Sequence, residues 1–303
     1  MIIVNGKEIA QKIIDNLKQK SEPKKIFAAI LVGENPISLN FLKQKEKVAK
    51  ELGIDFRIYK FPETIKNDDL RKEVGKIALL KKVGGVIVQL PLPEHLNKHY
   101  IINAIPREKD VDVLSERSLG AFYNERNPIL PPSVETVIEI LKKQTILFEN
   151  NVSKTEQLND QDHFFLKIKP LTIAVIGAGF LIGKPIAVWL MNKVKKITIF
   201  EKGSNLSELK EYDLIISGVG KARIIKPEML KKDSGIIDFG YSIGKSQSAN
   251  RKSLIYGDFD IERLAISDLR LAFYTPTPNG TGPILVAKIF ENFYKLNAEI
   301  INK

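Results

Sequence analysis

The chain has 303 residues, which suggests about two domains that each bury a hydrophobic core. It contains no cysteine and three histidines, so disulfides, a thiol nucleophile and a metal centre are not expected. The net charge of +11 comes from lysines spread along the whole chain, which favours a lysine-rich surface or a site for an acidic small molecule over nucleic-acid binding. With no bilayer-length apolar run and no signal-peptide pattern, we expect a soluble cytoplasmic protein without membrane contact.

The first half of the chain alternates helix and strand patterns. The predicted order is helix 8–20, strand 26–32, helix 37–52, strand 55–59, helix 70–80 and strand 85–90. Pro91 and Pro93 end the last of these strands, because proline cannot continue a central strand. This alternation predicts an α/β fold with a mainly parallel sheet.

The second half repeats the same rhythm. A helix over 133–144 is followed by the polar, aperiodic segment 150–162, which is typical of an exposed loop or insertion. The remaining predicted elements are strands near 171–176, 196–200, 214–217 and 235–239 and a final helix over 284–296 that folds back on the first domain. We therefore predict one domain of residues 1–140 with 280–303, and a second of residues 141–279 with a polar insertion at about 150–168.

A glycine-rich turn, IGAGFLIGKP (176–185), follows a buried strand and precedes an apolar helix. Gly177 permits the tight turn, Gly179 lets a pyrophosphate approach the main chain, and Gly183 lets helix and strand pack closely. The helix N-terminus adds free N–H groups. This stretch predicts a Rossmann-type site for a dinucleotide cofactor.

Lys45 is a candidate acid–base group on the helix predicted over 37–52. It shares one helical face with Ser38, Phe41 and Val48. A lysine on an apolar face is a candidate for a depressed pKa. The alternative is that Lys45 faces water like the neighbouring lysines 43, 47 and 50.

Three loop positions are further candidates. Gln89 ends a buried strand, where ligands of parallel α/β sheets bind, although it could simply cap a loop. Asp110 and Asp112 could bind a divalent ion or an amine donor, or cap turns. The segment YTPTPNGTGP (274–283) is rigid and glycine-rich, which suits either a ligand contact or a crossing between domains.

Taken in order, these segments resemble the bifunctional methylenetetrahydrofolate dehydrogenase/cyclohydrolase family, over nearly the whole chain. The motifs that carry the resemblance are GENPIS (33–38) with Phe41, KEK (45–47) and Gly53-Ile54, VQLPLP (88–93), IPREKDVD (105–112), GAGFLIGKP (177–185) and TPTPNGTGP (275–283). The resemblance implies a two-domain enzyme with a folate cleft between the domains, a nicotinamide cofactor on the second domain, and a homodimer formed through that domain.

The resemblance also implies roles for individual residues. Lys45 would be the acid–base lysine, Gln89 would orient it, and Asp112 would hydrogen-bond the pterin ring. The remaining folate-binding candidates are Phe41, Leu90, Pro91, Pro278, Gly280 and Gly282. The cofactor-binding candidates are Gly177, Ala178, Gly179, Gly183, Glu201, Ser133, Val219, Gly220 and Tyr241.

The chain departs from the family pattern at several of these positions. In the folate motifs, Phe41 replaces a tyrosine, Val113 replaces a glycine, and Asn279 replaces one of two paired glycines. In the nucleotide turn, Ala178 and Gly179 replace an arginine and a serine. PPSV (131–134) replaces a Pro-Cys-Thr-Pro stretch, in which only Ser133 keeps a hydroxyl. Because Phe41 lacks the hydroxyl beside Lys45, we expect cyclohydrolase activity, which needs managed proton transfer, to be more impaired than dehydrogenase activity.

Cofactor choice rests on two positions. Ala178 supplies no charge for a 2′-phosphate, and Glu201 ends a strand at the position that reads the ribose 2′-hydroxyl in Rossmann units. We therefore expect NAD to be favoured over NADP, although Lys202 could offer a phosphate contact.

The leading hypothesis is oxidation of 5,10-methylenetetrahydrofolate with an associated hydrolysis to 10-formyltetrahydrofolate. The alternatives are a dehydrogenase with a changed small-molecule substrate and a catalytically silent paralogue that binds folate or nucleotide. A nucleic-acid-binding role would rest on the net charge alone.

Overall fold

A computed structural model describes residues 1–144, 159–244 and 254–298. The chain divides into two compact units, which we call the three-stranded unit (Ala10–Pro132 and Leu285–Lys303) and the six-stranded unit (Met1–Ile9 and Ser133–Ile284). Among the described residues, no helix combines the length and apolarity needed to cross a lipid bilayer.

The regular elements alternate along the chain, as the sequence patterns predict. Up to residue 144 they are β1 (Ile2–Ile3), α1 (Gly6–Lys18), β2 (Ile26–Val32), α2 (Pro36–Glu51), β3 (Phe56–Phe61), α3 (Asn67–Leu79), β4 (Val83–Val88), α4 (Lys98–Ile102), α5 (Glu116–Tyr123) and α6 (Pro132–Gln144). From residue 159 they are α7 (Asp160–Ile168), β5 (Thr172–Ile176), α8 (Gly183–Leu190), β6 (Lys196–Phe200), β7 (Leu214–Ser217), β8 (Gly235–Asp238), β9 (Ser242–Ile243), β10 (Ile255–Tyr256), α9 (Ile261–Leu264), β11 (Phe273–Tyr274) and α10 (Thr281–Asn297).

The three-stranded unit contains a parallel sheet of order β3-β2-β4. Its central strand β2 is buried along its whole length, which fits its continuous apolar sequence. The last helix belongs to this core from Leu285 onward, since Phe293 stacks on Phe27 at 4.8 Å between ring centroids. Asn292 donates hydrogen bonds from Nδ2 to the carbonyls of Val111 and Leu130. The predicted return of the final helix is therefore confirmed.

The six-stranded unit contains a parallel sheet of order β1-β11-β8-β7-β5-β6. The chain leaves β5 to form β6 on one side and then returns to form β7 on the other. This reversal creates a topological switch point at the carboxyl ends of β5 and β7, where open α/β sheets bind ligands.

Several boundaries differ from those predicted. The three-stranded unit ends at Pro132 rather than at residue 140, and its returning segment starts at Leu285 rather than at residue 280. Residues 160–168, placed in the polar insertion, form α7, because Asn159 caps the helix and Phe164 and Ile168 bury one face. Residues 150–158 of the predicted insertion lie outside the described residues. The N-terminal residues 1–9 belong to the six-stranded unit, because β1 pairs with β11 about 270 residues away. A two-residue strand with so distant a partner leaves no local pattern.

Candidate functional site

Lys45 lies on the buried side of α2. The helix begins after Asn35, whose Oδ1 accepts from the backbone N–H groups of Ile37 and Ser38, and proline occupies its first position. The Lys45 residue is 8% exposed, whereas lysines 43, 47 and 50 of the same helix are exposed. The water-facing alternative is therefore wrong for Lys45.

Gln89 presents its amide oxygen to that lysine. Its backbone N–H donates to the carbonyl of Ile30, which fixes it just beyond the end of β4, and its Nε2 donates to the carbonyl of Leu90 at 2.8 Å. With the amide nitrogen engaged, Oε1 accepts from Lys45 Nζ at 3.0 Å in a buried hydrogen bond. The structure thus joins the two residues that the sequence analysis paired.

Asp110 and Asp112 have different surroundings although they are two residues apart. The carboxylate of Asp110 is buried and accepts from the backbone N–H groups of Leu114 and Ser115. Asp110 therefore caps a turn, as one of the predicted alternatives states. Asp112 is half-buried and interacts electrostatically with Lys45. We call Lys45, Gln89 and Asp112 the Lys45 cluster.

Burial dominates the electrostatics of this cluster. It lowers the pKa of Lys45 below its ordinary value, and the attraction of Asp112 opposes that shift. Burial likewise raises the pKa of Asp112 to about 6, with Lys45 opposing the shift and Asp110 adding to it. A buried amine and a half-buried carboxyl that both resist charge can exchange a proton at moderate pH.

The other folate-binding candidates of the three-stranded unit lie close in sequence to Lys45 and Gln89. Phe41 and Leu90 are half-buried, and Pro91 is exposed. Ser38 lies two helical turns before Lys45, and its buried Oγ has no hydrogen-bond partner among the residues that the structure describes. Ser38 was not selected from the sequence as a site residue. Its position on the Lys45 face was the available signal.

The glycine-rich turn of the six-stranded unit joins β5 to α8. Gly177 has φ +87° and donates its N–H to the carbonyl of Phe200, which ties the turn to the end of β6. A Cβ at Gly183 would stand 1.7 Å from the carbonyl oxygen of Gly177, so helix and strand approach as only glycine allows. A Cβ at Gly179 would meet little, its nearest contact being 4.0 Å away. Space for an approaching ligand exists there.

The other cofactor candidates occupy the same carboxyl edge of this sheet or lie near the start of α6. Val219 is 42% exposed, and its side chain lies 3.1 Å from a Cβ built on Gly177. Glu201 follows β6 directly and is exposed. Ser133 is buried, and its Oγ has no partner within the described residues. The remaining three are half-buried Ala178, exposed Gly220 with φ +71° and half-buried Tyr241.

The loop 275–283 combines tight packing with open positions. A Cβ at Gly280 would stand 2.3 Å from the carbonyl oxygen of Pro276, whereas one at Gly282 would meet nothing within 4 Å. Gly282 lies in the first turn of α10 rather than in the loop. Pro278 is exposed, and Asn279 has φ +78°, a conformation that asparagine tolerates.

Three residues of the six-stranded unit were not predicted from the sequence. Gly6 donates its N–H to the carbonyl of Asn279 and has no room for a Cβ. Asp238 and Asp258 are buried carboxyl groups that receive hydrogen bonds from loop backbone. The signal for Asp238 was an acidic residue at the end of an apolar strand. Among the described residues, no group of three or more histidine or acidic side chains could hold a metal ion.

Two family models match the chain. The model described as "Tetrahydrofolate dehydrogenase/cyclohydrolase, catalytic domain" matches residues 4–112. The model described as "Tetrahydrofolate dehydrogenase/cyclohydrolase, NAD(P)-binding domain" matches residues 160–300. Together they cover most of the chain.

Whole-chain comparisons agree with these matches. The chain is 30% identical to the bifunctional protein FolD of Mycoplasmopsis synoviae (strain 53), with 98% of this chain and 99% of the relative covered. It is 32% identical to the bifunctional protein FolD of Sulfurihydrogenibium sp. (strain YO3AOP1), with 96% of each chain covered. The crystal structure of the bifunctional enzyme FolD from Campylobacter jejuni superposes with a TM-score of 0.83, at 28% identity and 98% coverage of both chains.

Proposed function

Because the chain belongs to the tetrahydrofolate dehydrogenase/cyclohydrolase family, we propose that it oxidises 5,10-methylenetetrahydrofolate to 5,10-methenyltetrahydrofolate and hydrolyses that product to 10-formyltetrahydrofolate. It is an NAD(P)-dependent oxidoreductase with an associated hydrolase activity. The observation that carries the proposal is the buried hydrogen bond between Lys45 and Gln89. An exposed lysine on the surface would not be held by such a hydrogen bond in position for proton transfer.

Hydrolysis is the step that needs the Lys45 cluster. Water must lose a proton as it adds to the methenyl carbon, and a ring nitrogen must gain one as the ring opens. A lysine whose pKa is lowered by burial can accept the first proton and return it. Gln89 holds the amine through its neutral oxygen, so it orients Lys45 without stabilising the ammonium form as a carboxylate would. Asp112 is assigned to the pterin ring.

Dehydrogenation depends mainly on positioning. The bound nicotinamide supplies the hydride acceptor, and the two folate nitrogens stabilise the product cation. The residues present fit a dinucleotide: Gly179 leaves open space at the switch point, and Gly177 and Gly183 build the turn beside it. Val219, Gly220, Tyr241 and Ser133 complete the proposed cofactor contacts. The folate contacts assigned to Phe41, Leu90, Pro91, Pro278, Gly280 and Gly282 belong to the same proposal.

The cofactor we propose is NAD in preference to NADP. Glu201 is exposed directly after the end of β6. The residue before it, Phe200, accepts a hydrogen bond at its carbonyl from the N–H of Gly177, so Glu201 lies next to the glycine turn. A carboxylate next to the glycine turn would accept from a ribose hydroxyl and repel a 2′-phosphate. Ala178 adds no compensating positive charge.

The test is reduction of NAD and of NADP by the purified protein with methylenetetrahydrofolate, followed at 340 nm, with a separate assay of methenyltetrahydrofolate hydrolysis. We expect reduction with both cofactors, a higher kcat/KM with NAD, and a hydrolysis rate below the oxidation rate because Phe41 carries no hydroxyl. No reduction with either cofactor would favour a silent paralogue or a changed substrate. Comparable rates for oxidation and hydrolysis would contradict the proposal that the missing hydroxyl of Phe41 slows hydrolysis.

A homodimer formed through the six-stranded unit is part of the proposal. In the described sheet β6 is an edge strand, and Ile199 on it is 45% exposed. Unpaired edge strands with apolar side chains favour association with another strand. Light scattering coupled to size exclusion should give twice the chain mass, and Ile199→Lys should shift the mass toward that of a single chain.

A further inference from the structure

Two buried aspartates of the six-stranded unit have no role in the chemistry proposed above. Asp238, at the end of β8, is 1% exposed, and Asp258, shortly after β10, is fully buried. Burial raises the pKa of Asp238 to about 7, the charge of Asp258 adds to that shift, and backbone N–H donors oppose it. Burying two carboxyl groups in one region is unfavourable, so their hydrogen bonds need an explanation.

Asp258 holds the loop that follows β7. Its Oδ2 accepts from the hydroxyl of Ser217 at 2.6 Å and from the N–H of Val219 at 2.8 Å. Its Oδ1 accepts from the N–H of Lys221 at 2.8 Å. One carboxylate therefore fixes both sides of Gly220. This loop contains the cofactor candidates Val219 and Gly220.

Asp238 holds the loop that follows β8. Its Oδ1 accepts from the N–H of Gly240 at 2.7 Å, next to the cofactor candidate Tyr241. Its Oδ2 accepts from the N–H of Phe259 at 2.9 Å, the residue after Asp258. The two carboxylates thus belong to one network, which we call the aspartate network.

Three threonines attach the loop 275–283 to the same strand end. The N–H of Asp238 donates to Thr275 Oγ1 at 2.7 Å, and Thr281 Oγ1 donates to the carbonyl of Asp238 at 3.0 Å. Thr277 Oγ1 donates to the carbonyl of Gly240 at 3.4 Å. The loop that carries the folate candidates Pro278 and Gly280 is therefore bonded to the residues that shape the cofactor loops.

The packing around the carboxylates leaves little freedom. A Cβ at Gly240 would stand 2.3 Å from the carboxyl carbon of Asp258, and a Cβ at Gly257 would stand 2.2 Å from Asp238 Oδ2. Each carboxylate therefore lies directly against backbone, which transmits a displacement of one loop to the others.

We infer that Asp258 and Asp238 are positioning residues that couple binding of the nicotinamide cofactor to binding of the folate. The inference rests on the proposed function. A cofactor that orders the loops after β7 and β8 also orders the strand end to which the loop 275–283 is attached. Folate binding then requires less ordering, and the effect is reciprocal by linkage.

The experiment is calorimetric titration of the full chain with NADH, without and with saturating tetrahydrofolate, a pair that cannot react. We expect tetrahydrofolate to lower the Kd of NADH about tenfold in the wild type. Asp258→Asn keeps the volume but turns an NH2 group toward one of the three donors, because its amide has one accepting oxygen. That variant should weaken NADH binding about tenfold and bring the ratio of the two Kd values close to one.

The matched control is Asp260→Asn, which removes the same charge from a carboxylate outside the aspartate network. Asp260 caps α9 by accepting from the N–H of Arg263. It should keep the wild-type ratio. If Asp258→Asn does not fold, Thr277→Val tests the same connection and Thr277→Ser should restore it. A wild-type ratio of one, or an unchanged ratio in the variant despite weaker NADH binding, would overturn the coupling. Absence of tetrahydrofolate binding would overturn the proposed function as well.

Discussion

The Lys45 cluster and the aspartate network bury charged groups for opposite purposes. Lys45 donates to a neutral side-chain amide, which leaves its pKa lowered and its proton available. Asp258 receives one hydroxyl and two backbone N–H donors, which fix its carboxylate and the loop around it. A buried charge that is incompletely satisfied suits proton transfer, and one that is fully bonded suits positioning.

The same contrast recurs at short range in the three-stranded unit. Asp110 binds backbone N–H groups and shapes a turn, while Asp112, two residues later, interacts with Lys45. Residue type and position in the chain therefore do not separate the two roles. The groups that each carboxylate contacts do.

The strongest test of this contrast is Lys45→Gln. Loss of the amine should lower the rate of methenyltetrahydrofolate hydrolysis by about 10³-fold and the rate of cofactor reduction much less, because general acid–base catalysis contributes on that scale. Lys47→Gln, an exposed lysine of the same helix, is the matched control and should behave as the wild type. Equal losses of hydrolysis and cofactor reduction in Lys45→Gln, or the same result for both variants, would contradict a role of Lys45 in proton transfer.

We expect Asp238 to make the free energy of unfolding depend on pH. Its pKa is raised from 3.8 to about 7 in the folded protein, so between these pH values the folded state holds a proton that the unfolded chain has lost. Stability from this group is complete below about pH 4 and is lost as the pH rises toward 7. Asp238→Asn has no such proton, so its free energy of unfolding should gain on that of the wild type by up to about 4 kcal/mol over this range.

Urea unfolding at several pH values measures that gain. The slope against pH is the informative quantity, since removing a hydrogen-bond acceptor shifts the variant by a constant amount. Asp260→Asn again serves as the control, with no change in slope expected. A constant difference between Asp238→Asn and the wild type from pH 4 to 7 would mean that Asp238 stays ionised, like the rest of a saturated network.

Glu201 tests whether the six-stranded unit selects its ligand by charge. Glu201→Gln should lower the ratio of kcat/KM for NAD to that for NADP about tenfold, because it removes the repulsion of a 2′-phosphate. Lys202→Gln is the informative companion, since Lys202 is the alternative phosphate contact. A ratio that responds to Lys202→Gln and not to Glu201→Gln would reverse the assignment of the cofactor.

The smallest effect is expected at Val113, next to Asp112. Val113 is fully buried with φ +57°, a strained conformation for a branched residue. Val113→Gly should change the free energy of unfolding by less than about 1 kcal/mol, because relief of strain offsets the lost burial. Val111 is equally buried but does not have a positive φ. Val111→Gly should therefore lower the free energy of unfolding by about 3 kcal/mol. Equal losses in urea unfolding would show that the conformation carries no strain.

Much of the fold followed from local patterns. The apolar run 26–32 is β2 at the same residues, and the helix predicted over 37–52 is α2 at Pro36–Glu51. Elements with little local signal were missed or misplaced. These include β1, which is two residues long, and α7, whose first residues are polar. Such elements exist because of distant pairing or packing, which a sequence window does not contain.

Local sequence was enough to predict three candidate groups: a glycine turn after a buried strand, a lysine on an apolar helical face, and an amide at a strand end. Those are local requirements, written in residue type and spacing. Long-range packing buries Lys45 against Gln89 rather than leaving it in water. It also joins Asp238 and Asp258 in one network, because residues far apart in the chain meet only after the parallel strands have aligned their carboxyl ends.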